Sequence, residues 1–322
     1  MADAHRELTF TFGDPEPIIN GVQDLLQAWY SEPLQYYEPP LSRPGLAKLA
    51  NANATHKRCL NFKVQQMALV YKSGPLSAMD FRRAARDLVT FGDCFLQNRF
   101  NALGTLTRQV HLPGVNMRRG KDGRFFQLQN GLADPVEFAP GEVAMPLQYD
   151  CAQSIYGVPD WIGAFNDVFL NSEATLFRRR YFKNGSQMGF ILYTNDDKMT
   201  DADEKVIREK IEAGKGVGNF RSMFINIPGG GEKAVQLIPV GEVGAKDEFE
   251  RIKSMSKSDI LVGHGMQAAL AGVMPENAGG FGDLDKIQAF YRANEVAALV
   301  QPFIEMNDEL PARLRFEFDF SI

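Results

Sequence analysis

The sequence predicts an α+β fold in two parts. One is a body with an antiparallel sheet and long helices; the other is a small α/β module held at the tip of a two-helix stalk. Three observations lead there. Residues 94 to 128 alternate apolar and polar side chains around tight-turn dipeptides, as half-buried antiparallel strands do. A long helical pattern at 158–183 runs into a strand-rich stretch, and a second helical pattern opens at 246 where that stretch ends. The chain closes on strict alternation, Leu314-Arg-Phe-Glu-Phe-Asp-Phe-Ser-Ile322, which predicts a final half-buried strand that rejoins the first sheet.

Composition agrees with a globular chain. The 322 residues are 44% apolar and 23% charged, with 35 basic and 40 acidic side chains for a net charge of −5. That excludes a disordered or fibrous chain and argues against blanket phosphate neutralisation, which needs a basic excess. No apolar run reaches the ~18 to 20 residues of a membrane-spanning helix, and the first residues carry no secretory pattern. Cys59, Cys94 and Cys151 are odd in number and widely spaced, which fits a reducing compartment. His5, His56, His111 and His264 form no HExxH or HxH pair and there is no CxxC, so no zinc site is expected.

Taken in order, Leu8 to Phe12 alternates, and an amphipathic segment ends at Trp29-Tyr30. Residues 31 to 44 hold four prolines, which suit an extended connector or arm. Leu46, Leu49, Leu60, Val64 and Met67 recur at helical spacing across 45–71, stopped by Ser73-Gly74-Pro75. Ser77 opens a helix through Leu88. Cys94 to Phe100 and Thr105 to Leu112 read as strands about the Asn101–Gly104 turn, and Arg124 to Leu128 follows a Lys121-Asp-Gly123 turn. In the pattern from Val158 to Lys183, Pro159 and Asp160 suit the first turn and Arg178, Arg179, Arg180 and Lys183 the last. Such a helix is roughly 35 Å long.

Gly189 to Tyr193, Met223 to Ile227 and Val235 to Pro239 read as strands, with a charged helix from Asp201 capped by Thr200 and a hairpin turn at Gly229-Gly-Gly231. A helical stretch follows from Lys246 to about Leu261, then glycine-rich sequence, then a helix from Asp285 to about Met306 bent near Pro302.

Few motifs carry chemistry. Gly214-Lys-Gly-Val-Gly-Asn219 lacks the GxxxxGK[ST] order of a phosphate loop, and its glycines follow a helix and precede a strand, so it reads chiefly as a helix-ending loop. A phosphate- or nucleotide-using enzyme served by Gly214–Gly218 is the alternative function. Asp196, Asp197, Asp201, Asp203 and Glu204 read as favourable charges at a helix start, with a metal site as the lesser reading. His264, between two glycines, reads as structural or interfacial, with a titrating switch as the alternative. Arg118, Arg119, Lys121 and Arg124 read as a surface patch. No catalytic constellation emerges, so no enzyme, cofactor or metal site is assigned.

Ile155-Tyr-Gly-Val-Pro-Asp-Trp-Ile-Gly163, Asn171 to Gly185 (with Phe177-Arg-Arg-Arg-Tyr-Phe-Lys-Asn-Gly185) and Gly189-Phe-Ile-Leu192 resemble the tailed-bacteriophage portal family, in its contractile-tailed phage and PBSX-type branch. Tyr36-Tyr-Glu-Pro-Pro40, Gly92-Asp-Cys-Phe95 and residues 285–300 support the same resemblance. It implies a wing at 1–156 and 286–322, stem helices at 157–184 and 243–262, and a clip at 185–242. A tunnel-loop region would occupy 263–285, and little or no crown is expected. The resemblance further implies a homo-oligomeric ring, commonly a 12-mer, at the portal vertex of the virion, assembled in the host cytoplasm. Double-stranded DNA would pass through it, and terminase large subunit, capsid, scaffold and head-completion or tail proteins would dock on it. Pro275, Glu276, Asn277, Gly279, Gly280 and Phe281 would face DNA. Lys246, Glu250, Lys253 and Lys257 would line the channel, and Trp161, Phe165, Phe169 and Phe177 would pack the stem.

A conduit must not grip its cargo. Duplex DNA carries a charge every 1.7 Å or so, and a strongly basic bore would hold it. On 246–259 the lysines alternate with Asp247, Glu248, Glu250 and Asp259, which suits passage.

Overall fold

The computed structural model describes residues 28–129, 134–183, 190–194, 205, 223–226, 235–239, 244–273 and 283–321. In chain order these form β1 (Trp29–Ser31), β2 (Tyr36–Glu38), α1 (Arg43–Ala52), α2 (Ala54–Val70), β3 (Tyr71–Ser73), α3 (Ala78–Phe91), β4 (Phe95–Phe100) and β5 (Leu106–Leu112). Next come β6 (Met117–Gly120), β7 (Phe125–Gln127), β8 (Val136–Phe138), β9 (Val143–Ala144), α4 (Phe165–Lys183), β10 (Phe190–Thr194), β11 (Met223–Asn226) and β12 (Val235–Pro239). The last are α5 (Gly244–Gly263), α6 (Leu284–Tyr291), α7 (Ala297–Glu305) and β13 (Glu317–Phe318). The chain divides into two units: 1–48, 64–159 and 296–322, and 49–63 with 160–295.

The first unit holds a five-stranded sheet, β1-β2-β6-β7-β8, a three-stranded sheet, β5-β4-β9, and the pair β13-β3. Turn chemistry sets the hairpins. Asp122 and Gly123 both take positive φ, 57° and 75°, which gives the β6–β7 turn the twist its strands need. At the β4–β5 turn the Asn101 side chain accepts from the amides of Leu103 and Thr105. Phe95, Leu112, Met117, Phe125, Phe138, Val143 and Tyr156 form one core cluster. A second aromatic group joins Tyr71, Phe81, Phe303, Phe316 and Phe318, with Tyr71 and Phe81 stacked at 4.0 Å.

Helix α3 shows why its ends fall where they do. Ser77 caps it by accepting from the Asp80 amide, and Gly92 ends it in the left-handed region at φ 86°. Phe81, Ala84, Ala85 and Leu88 form its buried face.

The motifs Gly92–Phe95 and Ile155–Val158 meet inside this unit. A Cβ on Gly92 would overlap the backbone of Gly157 and Val158, and a Cβ on Gly157 would overlap the Gly92 carbonyl. Beside them Asp93 accepts from Arg43 at 2.7 Å and from the Gly157 amide at 3.1 Å. The Arg43 guanidinium lies 5.0–5.3 Å from the ring centres of Phe91, Phe95 and Tyr156.

Several expectations need correction. The proline-rich stretch 31–44 is no free arm: β1 and β2 pair with each other, and β2 pairs with β6. Its prolines occupy the turn, the strand exit and the first turn of α1, positions that need no ladder amide. The expected single helix over 45–71 breaks at Asn53, whose side chain caps α2 by accepting from the His56 amide. The final strand shortens to Glu317–Phe318 and joins β3 rather than a larger sheet. Asn307 bonds both the amide and the carbonyl of Phe316, using groups a longer ladder would need. Nor is Arg118 a surface residue. It is buried and pairs with Glu38, while Lys121 and Arg124 pair with Glu32 and Glu137.

The second unit comprises α4, the sheet β11-β10-β12, α5, α6 and the chain from 49 to 63. β10 is central, parallel to β11 and antiparallel to β12. The expected hairpin at Gly229–Gly231 is therefore wrong, because β11 and β12 are not neighbours. A parallel pair needs a crossover of a dozen or more residues, which 195–222 supply. The helix expected from Val158 begins as a 3-10 turn, Asp160–Ala164, and α4 itself spans 19 residues, roughly 28 Å. The expected helix at 285–306 is interrupted by a π-turn at Arg292–Val296, with Pro302 inside α7. Leu8–Phe12, the helix read from Asp201, the acidic cluster and the Gly214–Asn219 loop lie outside the described residues.

Candidate functional site: the helix pair and its buried polar network

Helices α4 and α5 run antiparallel along one another. Partners fall in opposite order along the two chains: Ala164 meets Gly263, Asp167 lies near Asp259, and Asn171 meets Lys253 and Ser256. At the Ala164 crossing a Cβ on Gly263 would overlap the Ala164 methyl, so glycine allows the close approach.

On α4 the buried ridge is Val168, Asn171 and Ala174, continuing from Trp161 and Ala164 in the preceding turn. This is i, i+3, i+4 spacing with a polar residue at its centre. Asn171 is fully engaged. It accepts from the Asn53 amide group at 2.9 Å, and donates to the Lys253 carbonyl at 3.1 Å and the Ser256 hydroxyl at 2.9 Å. The Ser256 hydroxyl in turn donates a hydrogen bond to the Ile252 carbonyl at 2.8 Å. Asn53, at the start of α2, thus ties that helix to α4, and Asn171 ties α4 to α5. A buried amide with every partner in place fixes helix register, because sliding by one residue orphans several groups together.

Two further contacts bind α2 to this pair. Lys63 is wholly buried and forms a salt bridge with Asp160 in the turn that opens α4. His56 Nδ1 and His264 Nε2 lie 2.8 Å apart, with Trp161 edge-on to His56 at 4.4 Å between ring centres and stacked on His264 at 6.0 Å. Burial, reinforced by Lys63 and His56, pushes the His264 imidazole down to about 2. Burial also pushes the Tyr291 hydroxyl up, as does Asp160.

His264 closes α5. Gly265 takes φ 60°, its amide donates to the Val262 carbonyl, and the Met266 amide reaches back to Leu261. This six-to-one bond over a left-handed glycine is the Schellman arrangement, and Leu261 and Met266 are both buried, as its apolar contact requires.

The sequence-predicted residues scatter across this frame. Trp161 lies in the buried ridge. Phe165 is half-buried, and Phe169 is 43% exposed, its ring 4.8 Å from that of Phe165. Lys253 and Lys257 are half-buried on α5, and burial lowers the Lys253 ammonium, helped by repulsion from Arg178 and Lys257. Lys246 and Glu250 fall within α5, and Phe177 within α4; their side chains are outside the described residues, as are Pro275, Glu276, Asn277, Gly279, Gly280 and Phe281. Sequence reasoning missed Asn53, His56, Lys63 and Asn171. A signal existed: Asn53, His56, Leu60 and Lys63 share one helical stripe and are all buried, so three of four members are polar where apolar residues are expected.

Among the described residues no helix is long and apolar enough to cross a membrane, and no three metal-binding side chains converge. No protein-family model matches the chain. It is 37% identical over 317 residues to the probable portal protein of Haemophilus phage HP1 (strain HP1c1), covering 96% of this chain and 92% of that one. To the probable portal protein of Escherichia phage P2 it is 35% identical over 302 residues, covering 92% and 87%. Solved structures share the fold at 14% identity. A chain in the neck of an empty gene transfer agent particle gives a TM-score of 0.61, covering 92% of this chain and 86% of that one. The HK97 family phage portal protein from Corynebacterium diphtheriae gives 0.58, covering 85% and 94%. A chain in the native particle neck computed with C12 symmetry gives 0.58, covering 86% and 84%. With relatives above 30% identity over nearly its whole length, the chain belongs to the phage portal protein family.

Proposed function

We propose that this chain is the head–tail connector of a tailed phage and assembles as a ring, of twelve copies, at one capsid vertex. Double-stranded DNA passes through the ring during packaging and ejection. The observation that carries the reading is the 37% identity across 96% of the chain to a probable portal protein. Likeness to a neck chain computed with C12 symmetry supports the twelvefold number.

In this reading 1–156 and 286–322 form the wing, 157–184 and 243–262 the stem, 185–242 the clip and 263–285 the tunnel-loop region. The buried network described above keeps the stem helices in register under load. Phe169 and its exposed neighbour Leu170 turn toward the next copy in a heterologous interface, the kind that closes a ring. Lys246, Glu250, Lys253 and Lys257 line the bore, where mixed charge lets the duplex slide. Pro275 to Phe281 face the DNA. The clip docks the terminase large subunit, whose ATPase drives movement, and the wing meets capsid, scaffold and head-completion proteins. The role of this chain is structural.

Electron microscopy and native mass of the purified chain test the proposal. Rings many times 35.9 kDa are expected, and Val168→Pro, which breaks α4, abolishes them. A monodisperse monomer that also fails to enter procapsids refutes the ring. Tight ATP binding refutes the structural role.

A further inference from the structure

The His56–His264 contact does more than hold two helices. It lies between α2 and the residue that follows α5, immediately before Gly265. Its chemistry is finely balanced. Two imidazoles sharing one hydrogen bond need one donor and one acceptor, so the closed contact requires His56 and His264 in matched tautomers. The other nitrogen of His264, Nδ1, is buried with no hydrogen-bond partner among the described residues. A further proton there would have no acceptor, and the Lys63 ammonium is close enough to repel it.

The surrounding charges give little relief. From α2 come Lys63 and Cys59; from the turn before α4 comes Asp160, already engaged by Lys63. From the end of α6 comes Tyr291, and from the π-turn after it Glu295, whose carboxylate packs against Gly265 rather than the imidazole pair.

We infer that His56 and His264 form a proton-operated clasp: neutral, it locks the end of α5 to α2; protonated, it releases that end together with its cap at Gly265 and Met266. The inference stands on this geometry whether or not the chain forms a ring.

The size of the effect follows from linkage. A histidine that stays neutral while closed and titrates normally near 6.5 when open favours opening about 100-fold at pH 4.5 relative to pH 7.5. The full-length chain carrying Trp29→Phe leaves Trp161 as its sole tryptophan. Two readouts on it test the clasp between pH 7.5 and 4.5. One is hydrogen exchange, corrected for intrinsic rates, at residues 261–266. The other is Trp161 emission, which a protonated imidazole in contact quenches.

Protection at 261–266 should fall about 100-fold while residues 81–91 of α3 keep theirs, and Trp161 emission should change over the same range. In His264→Gln or His56→Gln the fall should shrink to tenfold or less. The inference is overturned if 261–266 lose no more protection than 81–91, or if both glutamine variants keep the full response. Should neither variant fold, the comparison of the two segments in the parent decides.

Discussion

Replacing Asn171 by alanine probes the register of the helix pair directly. The side chain makes three hydrogen bonds, buried ones to Asn53 and Ser256 and a partly buried one to Lys253. Each is worth about 1 kcal/mol, while alanine returns about 0.6 kcal/mol of helix propensity. The expected net loss is about 2–3 kcal/mol, read as a lowered urea midpoint at unchanged slope. Ser256→Ala removes one of these bonds and should cost about 1 kcal/mol. The double variant should fall short of the sum by about the same amount, since both singles break one shared bond. Ser258, two residues along α5, supplies the control: its hydroxyl is exposed and bonds only within its own helix, so Ser258→Ala stays within about 0.5 kcal/mol. If Asn171→Ala behaves like Ser258→Ala, or the double variant is strictly additive, the network does not set the register.

Gly92→Ala should cost at least about 3 kcal/mol in a denaturant melt, since it combines a left-handed φ with overlap onto backbone that cannot yield; a loss under 1 kcal/mol contradicts the close approach of the two motifs. Arg43→Met leaves a fully buried Asp93 carboxylate and should cost about 3–5 kcal/mol. Lys63→Met leaves Asp160 one-third exposed, where water can solvate it, and should cost clearly less; equal losses in paired melts would show that burial of the orphaned charge is not what matters. Burial pushes the Tyr156 hydroxyl up to about 12, and it donates to the Tyr37 carbonyl. A folded value above the unfolded one means stability complete below pH 10 and lost as pH rises toward 12, by about 3 kcal/mol. Chemical melts from pH 9 to 12 should show that fall, and Tyr156→Phe should flatten it.

Local order was legible in the chain. Ser77, Asp122-Gly123 and Asn101–Gly104 dictate caps and turns through their own backbone and side-chain chemistry, so α3 and the two hairpins are found where their residues predict them. The helix, module, helix order is likewise written in the change of period at 183 and 244. Prolines were read too simply: counting four of them in 31–44 points to an extended connector or arm, yet each occupies a position that needs no amide donor. The triple glycine misled for a related reason. It reports a permissive backbone but not which strands it joins, and β10 lies between the two candidates.

Caps, turns and periodicity involve neighbours within a few residues, so the sequence alone determines them, and family membership follows from motifs of the same local kind. Pairings between distant residues belong to the tertiary structure. Nothing in Asn53, His56 or Lys63 announces Asn171, His264 or Asp160, because 97 to 208 positions separate the partners in the chain. A polar side chain in an apolar stripe signals that a partner must exist, since burial without one is costly. Only folding, which brings three helices to one place, decides which partner it is.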